Sequence, residues 1–277
     1  MIRTMHTAAN TLGQLQVQLD TISNNIANSN TIGYKTKQAN FQELLYQQFN
    51  NDQQDNPAFR QSPAGIRYGV GAHISQIQSN ESQGSLQMTD RNLDFAFTKS
   101  NQYFNVALAD GSTAYTRQGN FYMSPQGDGT NVLVTSDGYP VLSANGTSIT
   151  FPDGVKDFTM SQAGTLNVNY EDGQVIQFDL AVTEITKPQV MEHLNSGAYI
   201  SLPNNLDEIG YAEEEILTDL QGLNRNEVSM QIGALESSNV NLSKEMTDLI
   251  AAQRSYQFNS RAITIGDQML GLINGIR

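Results

Sequence analysis

The chain has 277 residues, of which 38% are hydrophobic, enough to bury a sizeable core in one large domain or two smaller ones. A formal net charge of -13 and a pI near 4.5 leave no basic stripe to neutralise phosphates, which excludes nucleic acid as a partner. Zero Cys removes disulfides, thiol catalysis and Cys-ligated zinc, and no run reaches the roughly 20 apolar residues of a spanning helix, so membrane insertion is not expected.

The first residues, "MIRTMHTAANTLGQLQ", lack the continuous apolar core of a secretory signal, so any export is expected to proceed without a cleaved signal peptide. Met5, Ala8, Leu12, Leu15, Leu19, Ile22 and Ile26 are separated alternately by three and four residues. This heptad seam predicts an N-terminal helix within residues 1–34. The seam runs into "SNNIANSNTIGYK", where Asn24, Asn25, Asn28 and Asn30 crowd a stretch that should disfavour them, since Asn amides compete for backbone groups inside a helix. Residues 35–90 read as an extended connector. Its stretch from Gln47 to Gly71, with "NNDQQDNPAF" and "RQSPAGIRYGVG", is rich in amides, Gly and Pro and is expected to be irregular.

Residues 91–205 read as an antiparallel β domain. Asp-Gly occurs at Asp110, Asp128, Asp137, Asp153 and Asp172, and Asn-Gly at Asn145, dipeptides that supply positive φ in tight hairpin turns. The clearest hairpin is "TLNVNYEDGQVIQFDLAV". Leu166, Val168 and Tyr170 alternate before its turn, and Ile176, Phe178, Leu180 and Val182 after it, which predicts one buried and one wet face. In "TKSNQYF", Asn101 can tolerate a left-handed backbone better than most residues. A return connector, acidic at "YAEEEILTD", covers 206–235 and leads to a C-terminal helix at 236–277. Leu242, Leu249, Tyr256, Ile263 and Leu270 recur every seven residues along that helix, with Met246 on the same face. A second seam runs through Phe258, Ala262, Ile265, Met269, Leu272 and Ile276. Two residues turn a helix by about 200°, so Ile263 and Ile265 face nearly opposite ways, and a helix apolar on both sides calls for a partner on each. The expected fold class is α+β, with paired, coiled-coil-like terminal helices flanking an inserted, mostly antiparallel β domain.

No catalytic or cofactor motif is present. His6, His73 and His193 are scattered, none with a metal-ligand neighbour three or four residues on. Phosphate-loop, nucleophile-elbow and H-E-x-x-H patterns are missing, and "SPQGDGTN" lacks the ligand spacing of a calcium loop. Adjacent carboxylates on a helix point in different directions, so Glu213, Glu214 and Glu215 read as a solvated face. No enzyme activity, cofactor or metal is expected. A wall hydrolase would need a site converging from distant positions.

"LDTISNNIANSNTIGYK" resembles the N-terminal motif of the bacterial flagellar rod and hook family, and "ALESSNVNLSKEMTDLIAAQRSYQFNSRAITIGDQML" resembles its C-terminal motif. In the middle, "GVGAHISQIQSNESQGSLQMTDRNLDFAF" and "DGSTAYTRQGNFYMSPQGDGTNVLVTSDGYPVL" are similar to the distal rod member, with a proximal-rod paralogue of the same size as the other choice. The resemblance covers most of the chain. It implies a structural, self-polymerising subunit of a hollow drive shaft in the basal body, outside the cytoplasm, with neighbouring rod or hook subunits as partners. Its terminal helices would line the inner layer, its β domain would face outward, and the flagellar type III apparatus would export it. In such a tube, Asn24, Asn25, Asn28 and Asn30 would close the helix end and bond neighbouring subunits, while Gly33 would supply a left-handed turn; simple capping of a local turn is the alternative. The expected assembly interface comprises Leu12, Leu15, Leu19, Ile22, Asn24, Asn25, Ile26, Asn28, Asn30 and Gly33 with Leu242, Met246, Leu249, Tyr256, Phe258, Ile263, Ile265, Met269 and Leu270. A non-polymeric, adhesin-like β protein with helical termini is the competing class.

Overall fold

The computed structural model describes residues 2–43, 47–49, 66–68, 72–161, 163–194, 198–203, 206 and 210–275. The chain divides into two compact units. One comprises Met1–Ile26, Lys37–Gln78 and Leu242–Arg277; the other comprises Ala27–Thr36 and Ser79–Asn241. α and β structure are mixed, the strands pair antiparallel in the sheets, and a long helix stands near each end.

In the first unit the N-terminal helix spans Ile2–Ala27 and the C-terminal helix Leu242–Gly275. Ala8, Leu15 and Ile22 are buried and Met5, Leu12, Leu19 and Ile26 half-buried, so the predicted seam is the inward stripe. Two contacts join the helices. A Cβ on Gly266 would stand 3.0 Å from Met5 Cγ, and Asn25 Nδ2 donates to Glu245 Oε2 at 3.1 Å. These points lie about 20 residues apart on each helix, roughly 30 Å at 1.5 Å per residue, and their order makes the helices antiparallel. Strand Lys37–Glu43 pairs with strand Ala72–Ser79, and the Ile74 N–H donates to Gln14 Oε1 of the N-terminal helix at 2.9 Å. Most of the connector expected between Gln47 and Gly71 lies outside the described residues. The described parts form an antiparallel pair, Gln47–Phe49 with Ile66–Tyr68.

The second unit is built on a six-stranded sheet in the order Glu192–His193, Tyr199–Ser201, Thr113–Thr116, Gln102–Ala107, Val182–Ile185, Leu217–Asp219. Both faces of this sheet are covered. Phe104, Val106, Ala114, Val182 and Tyr199 enter a large core with Phe95, Phe97, Phe121 and Phe151, where Phe97 and Phe104 stack with ring centroids 4.3 Å apart. Tyr103, Tyr115, Ile185, Ile200 and Leu217 form a second cluster beneath the Ile216 side chain. The predicted hairpin forms from Thr165–Tyr170 and Val175–Asp179, with Leu166 and Val168 fully buried and Val175 exposed. Leu180 and Val182 leave it, because the chain crosses to the large sheet and Val182 pairs with Phe104. Asn101 has φ 69°, a positive value otherwise confined to glycines among the described residues. The return segment supplies strands of its own: Leu217–Asp219 joins the large sheet, Met230–Ile232 pairs with Phe95–Phe97, and Ala234–Glu236 pairs with Leu86–Met88.

Candidate assembly interface

Each expected interface residue can be located from its exposure. On the C-terminal helix the inward positions are Glu245, Ala252 and Gly266, which are buried, and Leu249, Asn259, Ile263 and Leu270, which are half-buried. With Tyr256 between Ala252 and Asn259, these positions continue one another at alternating steps of four and three. Half of the inward seam is therefore small or polar, and apolar periodicity alone does not reveal it. Met246 and Leu242, expected on that face, are exposed, and Glu245 occupies the inward position of the first turn. Tyr256 stands at the margin. The opposite stripe is open: Phe258 is 76% exposed, Leu272 68%, Ile265 55% and Met269 43%.

The Asn-rich stretch separates into different roles. Asn25 is 1% exposed. Its Nδ2 donates to Lys37 O at 2.8 Å and to Glu245, and its Oδ1 accepts the Lys37 N–H at 2.9 Å. The amide thus replaces a strand partner for Lys37 and pins it to both helices. Asn28 Oδ1 accepts from Thr31 Oγ1 at 3.1 Å and closes the turn after the helix. Asn24 and Asn30 are exposed. Gly33 is left-handed, at φ 69°, but six residues beyond the helix end, so it does not cap the helix. A Cβ there would stand 2.7 Å from the backbone carbon of Arg117, and its N–H donates to Glu236 O at 2.8 Å.

That contact leads to a buried polar anchor in the second unit. Glu236, 1% exposed, accepts from Lys35 Nζ at 2.8 Å, Arg117 Nε at 2.7 Å and the Gly84 N–H at 2.9 Å. Arg117 also donates to Gln102 O at 2.9 Å, and Lys35 to Ser82 O at 2.9 Å. Gly84 is obligatory, since a Cβ would fall 1.9 Å from Ser237 O. Three residues on, Asn239 Oδ1 accepts from Thr36 N at 2.7 Å and Thr36 Oγ1 at 2.6 Å, and its Nδ2 donates to Asn80 O at 2.7 Å. Burial alone would raise the Glu236 carboxyl, but Arg117 and then Lys35 outweigh it and hold it below its usual range. Burial first, then Arg117, pushes the Lys35 ammonium below its ordinary value. The anchor joins four stretches of chain, 33–36, 80–84, 102–117 and 236–239, with charge-assisted bonds that tolerate little displacement. Sequence reading missed it, because a lone Glu, Arg and Lys carry no pairing signal across such separations.

Family models match this chain in three places. Residues 5–35 match flagella basal body rod protein, residues 84–168 the D1 domain of flagellar hook protein FlgE/F/G, and residues 231–276 the C-terminal part of flagellar basal body rod FlgEFG protein. The flagellar hook-basal body complex protein FlhP of Bacillus subtilis (strain 168) is 46% identical over 283 residues, covering 100% of both chains. The chain belongs to the flagellar rod and hook family. Flagellar basal-body rod protein FlgG of Caulobacter vibrioides is 34% identical over 277 residues, with 100% of both chains covered, and that of Borreliella burgdorferi 32% over 284 residues, covering 100% of this chain and 99% of the relative. This rod-family subunit is thus nearer to FlhP than to either FlgG. Each of the three matched stretches contributes one charged group to the anchor: Lys35, Arg117 and Glu236.

Proposed function

We propose that this structural rod-family subunit polymerises with copies of itself and neighbouring rod or hook subunits into a tubular drive shaft, using its terminal helices as the inner, coiled-coil layer. The observation that carries this is the stripe of Phe258, Ile265, Met269 and Leu272. It lies on a helix whose other side is already occupied, and an apolar stripe of this length is an association surface rather than ordinary protein surface. Antiparallel contact of the helices at Met5–Gly266 and Asn25–Glu245 supports the coiled-coil arrangement. In this reading the β domain faces outward, the anchor around Glu236 keeps the connecting segments stiff under torque, and the type III apparatus exports the chain. The test is Ile265→Asp, which puts a charge at the centre of the stripe and makes its burial against a neighbour costly. The variant is expected to be exported and folded as the parent is, yet to remain monomeric by sedimentation and to leave cells non-motile. An exported variant that supports normal motility rejects the helical interface.

A further inference from the structure

Beyond assembly through the helices, the second unit carries a cleft of about 790 Å³ beside the second cluster, on the face of the large sheet that bears Asn105 and Tyr115. Its floor is Asn105 and Tyr115, direct partners on neighbouring strands, and its rim is Glu213, Glu214 and Asp219. The "EEE" run is divided by the fold. Glu215 pairs with Lys187 Nζ at 2.9 Å, while Glu213 and Glu214 turn to the cleft, where no Lys or Arg is among the lining residues. Asp219 accepts one bond, from Thr183 Oγ1 at 2.6 Å. Two floor groups are unmet. Among the described residues, Asn105 Oδ1 is buried without a hydrogen-bond donor, and Tyr115, 6% exposed, lines the cleft with a hydroxyl that makes no hydrogen bond to them. Burial first, then Asp219 and Glu213, pushes that hydroxyl above its ordinary value, so it stays protonated at any physiological pH.

An enclosure that presents carboxylates, an orphan carbonyl-type acceptor and a hydroxyl, with no cation of its own, is complementary to a planar, multi-donor cation. We propose that this cleft binds a basic segment of another protein, with an arginine guanidinium seated between Tyr115, Asn105 and the rim carboxylates. The volume exceeds what a bare ion fills and admits a side chain with its flanking backbone. No three acidic or imidazole groups among the described residues are grouped to hold a metal ion, which favours an organic cation.

The experiment titrates the full chain with a blocked Gly-Arg-Gly peptide, with spermidine and with Gly-Glu-Gly, following the Tyr115 ring signals by NMR. Saturable shifts with the arginine peptide alone are expected. Glu213→Gln/Glu214→Gln should weaken binding about tenfold, whereas Glu171→Gln/Asp172→Asn, which removes the same charge at the exposed turn of a hairpin, should not. Tyr115→Phe should weaken binding several-fold with an unchanged melting temperature, because it deletes a hydroxyl that has no partner in the fold. Absence of saturable shifts, equal weakening by both double variants, or equal binding of spermidine each overturns the proposal. The first outcome removes the site, the second reduces it to diffuse attraction by the net charge, and the third reassigns it to free polyamines.

Discussion

Glu236 is the single acceptor shared by Lys35, Arg117 and the Gly84 amide. Glu236→Gln keeps the shape but leaves two buried cations facing each other. Breaking one partner out of a buried pair costs about 3–5 kcal/mol, and chemical denaturation of the monomer is expected to report a loss of that size. The same variant isolates a pH effect. A carboxyl whose pKa falls on folding contributes stability that is present above its unfolded value and lost as pH drops through the folded one. The Glu236 carboxyl is below its ordinary 4.5 because the two cations outweigh burial, so the parent's lead over Glu236→Gln should shrink progressively below pH 4.5. A lead that is constant down to pH 2 would mean the carboxylate's charge is not what the anchor uses.

Along the C-terminal helix, inward and outward faces are told apart by substitutions two residues apart. Ile263 lies half-buried on the seam that continues through Ala252 and Gly266. Ile263→Asp should therefore lower monomer stability by about 2–4 kcal/mol, the cost of lost apolar burial plus a poorly solvated charge. Ile265→Asp should leave the monomer within about 0.5 kcal/mol of the parent, since that side chain already meets water. Thermal melts of the two verified monomers decide this, and equal losses would mean that the helix packs on both sides before assembly. At the strand level, a fragment of residues 79–241 should unfold in one cooperative transition, while 91–205 should be markedly less stable. The shorter fragment lacks Leu217–Asp219 and Met230–Ile232, whose removal exposes strands Val182–Ile185 and Phe95–Phe97 as open edges. A 91–205 fragment as stable as 79–241 contradicts this.

For the whole molecule, the net charge of -13 sets the conditions for association. Copies of so acidic a chain repel one another at long range, and salt shortens that range from about 30 Å at 0.01 M to about 8 Å at 0.15 M. Apolar contacts between helices are not weakened in the same way. Polymerisation of purified subunit, followed by light scattering, should accelerate as salt rises over this interval. A slower assembly at 0.15 M would show that ion pairs rather than apolar stripes drive the contact.

Periodicity and turn chemistry were sufficient for the helices, the antiparallel strands and the hairpin at Asp172, because these depend on neighbours three or four residues away or directly across a turn. Met5 to Ile26 and Leu166 to Phe178 could be read in that way, and the two motif-bearing ends pointed to the family. Which face of the C-terminal helix turns inward was not legible, since the buried Ala252 and Gly266 add little to an apolar pattern, and Gly266 acts by allowing close approach to Met5. Nor was the strand character of the return segment, whose short runs become strands only where Phe95 and Leu86 offer edges to pair with. The anchor and the acidic cleft belong wholly to the tertiary structure. Lys35, Arg117 and Glu236 are far apart in sequence, as are Tyr115 and Glu213, and a charge acquires a partner or a cavity only when the packed chain removes water from between them.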